Sequence, residues 1–229
     1  RLPIAVPQSV VAEFEEFCRA RSVTPFAGLL SVYFVLLQRW TGTSDISIGT
    51  QTLGRPTPEL FQTIGFFSNT VALRCQVDSA LTFDQLLGLV SETVHDALDY
   101  QDVPFEVVVG ALAPERDADR NPLFQAAITY GMLDLSDVWA LEGLQVTLLP
   151  EPAELSGLQF DLRLDIQQLA GEVSLNVEFN RRRFSEAAMQ RFAKAYGDLL
   201  GALSRRPDVA LGSIPLLDQA ALTETLALG

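Results

Sequence analysis

Apolar positions along the chain change period several times, and each change marks an expected element. From Ser9, residues Val10, Phe14, Phe17 and Cys18 recur at three- and four-residue spacing while Glu13, Glu15, Glu16 and Arg19 take the other face, the pattern of an amphipathic surface helix. Thr24 then reads as an N-cap with Pro25 at the first helical position. Over residues 26–40 apolar side chains surround nearly the whole circumference, so this helix is expected to be buried on most sides, and Gly42 ends it. Residues 45–50 alternate as a short strand, a Gly/Pro-punctuated loop follows, and residues 66–74 read as a second strand. Thr82 and Gln85 form a capping-box signature ahead of a helix whose Phe83, Leu86, Leu87, Val90 and Val94 share one face.

Pro104 begins a short helix through Leu112, and residues 124–130 read as a strand after the Asn121-Pro122 break. A loop over 131–143, a strand over 144–149 and an irregular connection over 150–157 come next. The clearest periodicity follows. Phe160, Leu162, Leu164 and Ile166 alternate with polar residues, as do Val173, Leu175, Val177 and Phe179, predicting two half-buried antiparallel strands that turn near Gly171. Ser185 caps a last long helix with Met189, Phe192, Tyr196, Leu199, Leu200 and Leu203 inward, and residues 207–229 form an irregular tail. This order predicts an α/β fold, a mixed β-sheet covered by helices on one face, with one domain over residues 1–206.

Composition narrows the function classes. With 48% hydrophobic and 20% charged residues, the chain of 229 residues can bury a core. A net charge of −13 argues against nucleic acid or an anionic membrane as partner, because both need a cationic surface. Cys18 and Cys75 fall in separate apolar-periodic segments and suit buried free thiols. Neither a signal segment nor an apolar run of spanning length is present, so a soluble, cytoplasmic protein is expected. His95 is the one histidine; it is read as a helix-surface residue rather than a catalytic base. One histidine and two distant cysteines make no structural zinc set, and Gly49, Gly54 and Gly65 match no nucleotide-binding fingerprint.

Three segments in order carry a resemblance. Ile64-Gly65-Phe66-Phe67-Ser68-Asn69-Thr70, closing on Arg74, resembles the I-G-x-F-V-N-T…R motif of nonribosomal peptide synthetase condensation domains. Tyr100-Gln101-Asp102-Val103-Pro104-Phe105-Glu106 is similar to their H-Q-D-x-P-F-E motif, with tyrosine in place of histidine. Residues 116–124, which include Arg120, Asn121, Pro122 and Leu123, resemble R-D-x-S-R-N-P-L-F, and Gly49 with Gly54-Arg55 fits the family's G-x-x-x-x-G-R stretch. Ile214-Pro215-Leu216-Leu217 is similar to the start of the linker toward an adenylation domain, which assigns residues 207–229 to that linker.

The resemblance implies the C-terminal lobe of a two-lobed, chloramphenicol acetyltransferase-like fold. Donor and acceptor substrates would arrive on the phosphopantetheine arms of carrier domains, with no covalently bound cofactor in the chain itself. The H-H-x-x-x-D-G motif belongs to the N-terminal lobe and does not occur in these residues, so no catalytic residue is assigned and the isolated chain is expected to be inactive. Expected partners are that N-terminal lobe, donor and acceptor carrier domains and a downstream adenylation domain.

Gly65, Phe67, Asn69 and Thr70 are expected at a substrate tunnel, although Asn69 and Thr70 could equally satisfy buried backbone groups. Arg74, Gln101, Asp102, Pro104, Phe105, Glu106, Arg120, Asn121, Pro122 and Leu123 are expected as scaffold, with Asp102 placed to cap the short helix and Arg120 to pair with a carboxylate. Arg181, Arg182 and Arg183 form the densest positive run and are a candidate carrier-docking patch, because carrier domains tend to be acidic. Residues 133–157 correspond to a latch over the opposite lobe, and residues 50–68 to a crossing floor loop. Two other readings remain open: a non-catalytic relative that recruits a tailoring enzyme, and a cyclisation or epimerisation relative.

Overall fold

A computed structural model describes residues 1–55, 57–112, 120–133, 160–169 and 172–215. Six strands are present among them: β1 (Leu2–Pro3), β2 (Asp45–Thr52), β3 (Asn69–Gln76), β4 (Ala126–Leu133), β5 (Leu162–Leu169) and β6 (Glu172–Phe179). Five α-helices accompany them: α1 (Gln8–Ala20), α2 (Pro25–Thr41), α3 (Phe83–Asp99), α4 (Phe105–Leu112) and α5 (Glu186–Arg205). The strands form one mixed sheet in the order β1-β6-β5-β4-β2-β3. β2, β4 and β5 are mutually parallel in sequence of pairing, so their carboxyl ends lie at the same end of the sheet.

Local chemistry sets most helix ends. The Thr24 hydroxyl accepts from the Ala27 amide at 3.2 Å, and Gly42 closes α2 in the left-handed conformation at φ 73°. Thr82 and Gln85 complete a reciprocal capping box at the start of α3. α2 is apolar on nearly every side because it packs against α1, α3 and α5 as well as the sheet, with Leu30, Tyr33, Phe34 and Leu36 fully buried. Among the described residues no single helix is long and apolar enough to cross a membrane.

The antiparallel register of β5 and β6 sets Leu164 opposite Val177 and Arg163 opposite Glu178, so apolar pairs face the helices and charged pairs face the other way. On that second face the Asp165 carboxylate accepts from Arg1 at 2.7 Å and from the Thr129 hydroxyl at 2.8 Å, while Arg163 pairs with Glu178. These carboxylates are shielded from solvent, and pairing removes most of the cost of burying them.

The structure moves several boundaries. β3 starts at Asn69 rather than residue 66, because residues 66–68 leave the ladder once β2 ends at Thr52. β4 starts at Ala126 because the Asn121 side chain occupies the Leu123 and Phe124 amides. β1 is too short to show periodicity. The turn near Gly171, the strand over 144–149 and the latch residues 134–157 lie outside the described residues. Cys18 and Cys75 are free and buried, and burial pushes the Cys18 thiol up to about 12.

Residues 207–214, read as the start of a linker, pack on the lobe. Leu211 and Ile214 join the core, and the Arg39 guanidinium donates to the carbonyls of Leu211 and Ile214 at 2.9 and 3.1 Å.

One buried polar group stands out. The Tyr33 hydroxyl is fully enclosed and has no hydrogen-bond partner among the described residues, whereas the neighbouring Tyr196 hydroxyl donates to the Leu29 carbonyl at 2.9 Å. An unsatisfied buried hydroxyl costs about 1–3 kcal/mol. Tyr33→Phe is therefore expected to raise stability by about 1 kcal/mol, or a midpoint about 2–4 °C higher in thermal denaturation. A lower midpoint would mean that the hydroxyl is satisfied.

Candidate functional site

The carboxyl end of the parallel strands is where open α/β sheets expose a crevice for ligands. Here a cavity of about 410 Å3 opens beyond β2 and β3, lined by the segment 66–70 on one side and the segment 101–106 on the other. Phe67, Asn69 and Thr70 of the expected tunnel residues line it, together with Gln101, Asp102, Pro104, Phe105 and Glu106. Gly65 does not; its carbonyl accepts from Arg55 at 3.4 Å.

Asn69 joins the two walls. Its side-chain amide donates to the carbonyls of Gln101 and Val103, each at 2.7 Å, and its oxygen accepts from the Phe105 amide at 3.2 Å. Phe105 is the first residue of α4, so Asn69 supplies from another strand the cap expected from Asp102, whose carboxylate makes no hydrogen bond among the described residues. Of the two roles open to Asn69, satisfying backbone is the one its geometry performs; Thr70 is left facing the cavity.

Two glycines explain the G-x-x-x-x-G-R stretch. A β-carbon on Gly49 would overlap the Phe124 ring, and one on Gly54, at φ 60°, would collide with the Phe67 carbonyl. Arg55 then donates to the carbonyls of Leu60, Thr63 and Gly65 and stacks over the Phe67 ring, folding the loop on itself. Below the cavity the Phe124 ring lies 5.7 Å from that of Phe105 and 5.5 Å from that of Phe160, tying α4 to the entrances of β4 and β5.

The third motif sits on an ionic junction. Asp161 receives Arg183 at 2.7 Å and Arg120 at 3.3 Å, linking the entry of β4 to the end of β6. Asn121 accepts from the amides of Leu123 at 3.0 Å and Phe124 at 3.3 Å and so turns the chain around Pro122. The arginine run is thereby divided: Arg183 is engaged inward, Arg181 lies 3.6 Å from Glu186, and the Arg182 guanidinium has no partner among the described residues. Arg74 forms a two-point pair with Asp45 at the far end of β3 and takes no part in the cavity.

Chemically, the described residues lining the cavity offer two carboxylates, amide groups and aromatic faces and include no cation, so their field disfavours anions. It contains no titratable base of the imidazole class: His95 is exposed on α3, its Nδ1 2.7 Å from the Ser91 carbonyl. Gln51 and Phe66 also line it; in the sequence both fall in the floor-loop region 50–68 and Phe66 in the first motif, but neither is assigned there to the site.

Asn69→Ala removes three bonds while leaving the strand register intact. At about 1 kcal/mol per bond, amide exchange over residues 101–105 is expected to accelerate at least tenfold while exchange in β5 and β6 stays unchanged. Unchanged exchange at Phe105 would show that the loop is held by something else.

Comparison with known proteins fits this geometry. A model of the Condensation domain family matches residues 1–225. Phosphinothricin tripeptide synthetase PhsC of Streptomyces viridochromogenes is 34% identical over 221 residues, covering 95% of this chain and 20% of the relative. The condensation domain from Monacolin K polyketide synthase MokA superposes with a TM-score of 0.80 at 25% identity, covering 90% of this chain and 47% of that one. The X-domain in its complex with OxyB from teicoplanin biosynthesis superposes with a TM-score of 0.81 at 19% identity, over 95% of this chain and 48% of that one, and shows the fold alone. The chain thus spans about a fifth of the synthetase and about half of each of those two solved chains. With the family match running through nearly all of its residues and two of the three motifs meeting at one cavity, the chain belongs to the condensation domain family.

Proposed function

We propose that the chain is the C-terminal lobe of a nonribosomal peptide synthetase condensation domain and forms one wall of the site where a carrier-bound acceptor amine attacks a carrier-bound donor thioester. The observation that carries this reading is the meeting of segments 66–70 and 101–106 at one cavity, joined by Asn69. In the reaction the amine nitrogen bonds to the thioester carbonyl carbon, the carbon–sulfur bond breaks, and the amine loses a proton as the thiol leaves. The acceptor arrives largely as an ammonium, which Asp102 and Glu106 at the cavity attract; one proton passes to a base before the attack and the second to the leaving thiolate. Thr70 and Gln101 offer hydrogen-bonding groups that orient the substrate.

The proton acceptor is assigned to the other lobe, since His95 faces solvent on α3. Exposed apolar side chains of the loop before β3, with Ile64 102% and Phe66 93% exposed, support contact with that lobe. Residues 1–206 are assigned to the lobe proper and 207–229 to the segment leading toward an adenylation domain, its first residues anchored by Arg39. Substrates reach the site on phosphopantetheine arms.

The purified chain, supplied with loaded donor and acceptor carrier domains, is expected to give no amide product by intact mass, while the chain joined to a preceding half bearing the H-H-x-x-x-D-G motif gives it. Product from the isolated chain above a carrier-only control would overturn the assignment of the base, and no product from the joined protein would overturn the reading.

Carrier docking is assigned to Arg181 and Arg182, with Arg183 acting through its pair with Asp161. Arg182→Glu in the joined protein is expected to weaken carrier binding about threefold or more at low salt, with the loss shrinking as salt rises. Unchanged carrier titration shifts would leave these arginines as surface charge.

A further inference from the structure

A second cavity, of about 350 Å3, lies beside the first on the helix-covered face of the sheet. Its origin is geometric. α2 begins at Pro25 and α3 ends at Asp99, so the helical layer runs out while β2 and β3 continue toward their shared end, leaving the inward side of Thr50, Thr52 and Val71 partly uncovered. Phe26, Leu73, Val94, Leu98 and Tyr130 complete an apolar lining, and the Phe26 and Tyr130 rings meet edge to face at 6.0 Å.

Two further features decide what this space can hold. Gln51 and Gln101 line both cavities, so the two spaces adjoin at two neutral amides. Among the described residues no carboxylate lines the second cavity, and the one guanidinium that does, that of Arg55, is already committed to three carbonyls and the Phe67 ring. Mostly apolar walls carrying the Thr50 and Thr52 hydroxyls and the Gln51 and Gln101 amides, in a volume near the lower end of the roughly 300–1,000 Å3 range of ligand sites, suit one compact neutral group.

We propose that the cavity between α2, α3 and the ends of β2 and β3 is a side-chain pocket that takes a neutral aliphatic or aromatic group of the thioester-bound substrate. The inference rests on the condensation reading and deepens it: the first cavity holds the polar reacting groups, and the second selects for an apolar substituent. Selectivity follows from burial, because each methylene enclosed in such a pocket is worth about tenfold or more in discrimination.

The test is a methyl and amide NMR titration of the 229-residue chain with two soluble thioesters of N-acetylcysteamine, the 4-methylpentanoyl and the acetyl. The 4-methylpentanoyl thioester is expected to shift the methyls of Val71, Leu73 and Ala97 as well as Thr70 and the Phe105 amide, whereas the acetyl thioester shifts only the latter pair. Val71→Thr, which keeps the shape and makes the wall polar, is expected to weaken the first binding about tenfold and leave the acetyl shifts unchanged. Ala97→Leu, which fills the space from α3, is expected to abolish the shifts at Val71 and Leu73. Shifts at Thr70 and Phe105 with none at Val71, Leu73 or Ala97 would sink the pocket and leave the condensation reading standing. A titration that moves none of these residues with either thioester would sink both.

Discussion

The side chain of Asn69 is the constraint on which the site depends. One planar amide, fixed at the first residue of β3, satisfies two carbonyls and one amide of a loop more than thirty residues later in the chain. Without it, the helix dipole of α4 and the carboxylates of Asp102 and Glu106 would have no fixed relation to the strand that carries Thr70. A carboxylate in its place would repel the two carbonyls, and an aliphatic residue would leave all three groups unpaired. Only a side chain with both donors and an acceptor completes the set.

Around that clamp, close packing sets the remaining distances. Gly49 admits the Phe124 ring, which brings the entry of β4 under the cavity, and Phe105 and Phe160 flank it. Asp161 holds Arg120 and Arg183 together at the same end, and Asn121 turns the chain between them. Asn69, Gly54, Arg120 and Asn121 thus each have a structural task within the lobe, while Thr70, Asp102 and Glu106 are left lining the cavity. Among the described residues the polar chemistry lining the cavity is that of carboxylates, amides and the hydroxyls of Ser68 and Thr70, which suits the proposed role of a wall that orients substrate.

What was legible in the sequence follows from range. α1, α2, α3 and α5 were readable because their caps and faces are set by residues three or four positions apart, as at Thr24, Thr82 and Ser185. The β5–β6 pair was readable because each strand alternates over its whole length. The start of β3 was misplaced because the apolar run through Phe66 and Phe67 looks like a strand, while the ladder with β2 ends at Thr52. Of the cavity-lining residues, resemblance had pointed to Phe67, Asn69 and Thr70 for a tunnel and had assigned Gln101, Asp102, Pro104, Phe105 and Glu106 to scaffold, and the second cavity had no signal at all, since its walls come from five separate elements. The division of the arginine run was equally hidden: Arg183 and Arg182 are neighbours in sequence, and only the return of β5 to Asp161 tells them apart.

The central claim is that Asn69 is committed to backbone, and its own side-chain amide reports on that directly. With both protons bonded to the carbonyls of Gln101 and Val103, the amide is expected to exchange with solvent at least tenfold more slowly than that of an exposed asparagine and to show scalar couplings to those two carbonyl carbons. Free exchange of the Asn69 side-chain protons, with no coupling to either carbonyl, would contradict the clamp and return Asn69 to the role of a substrate contact.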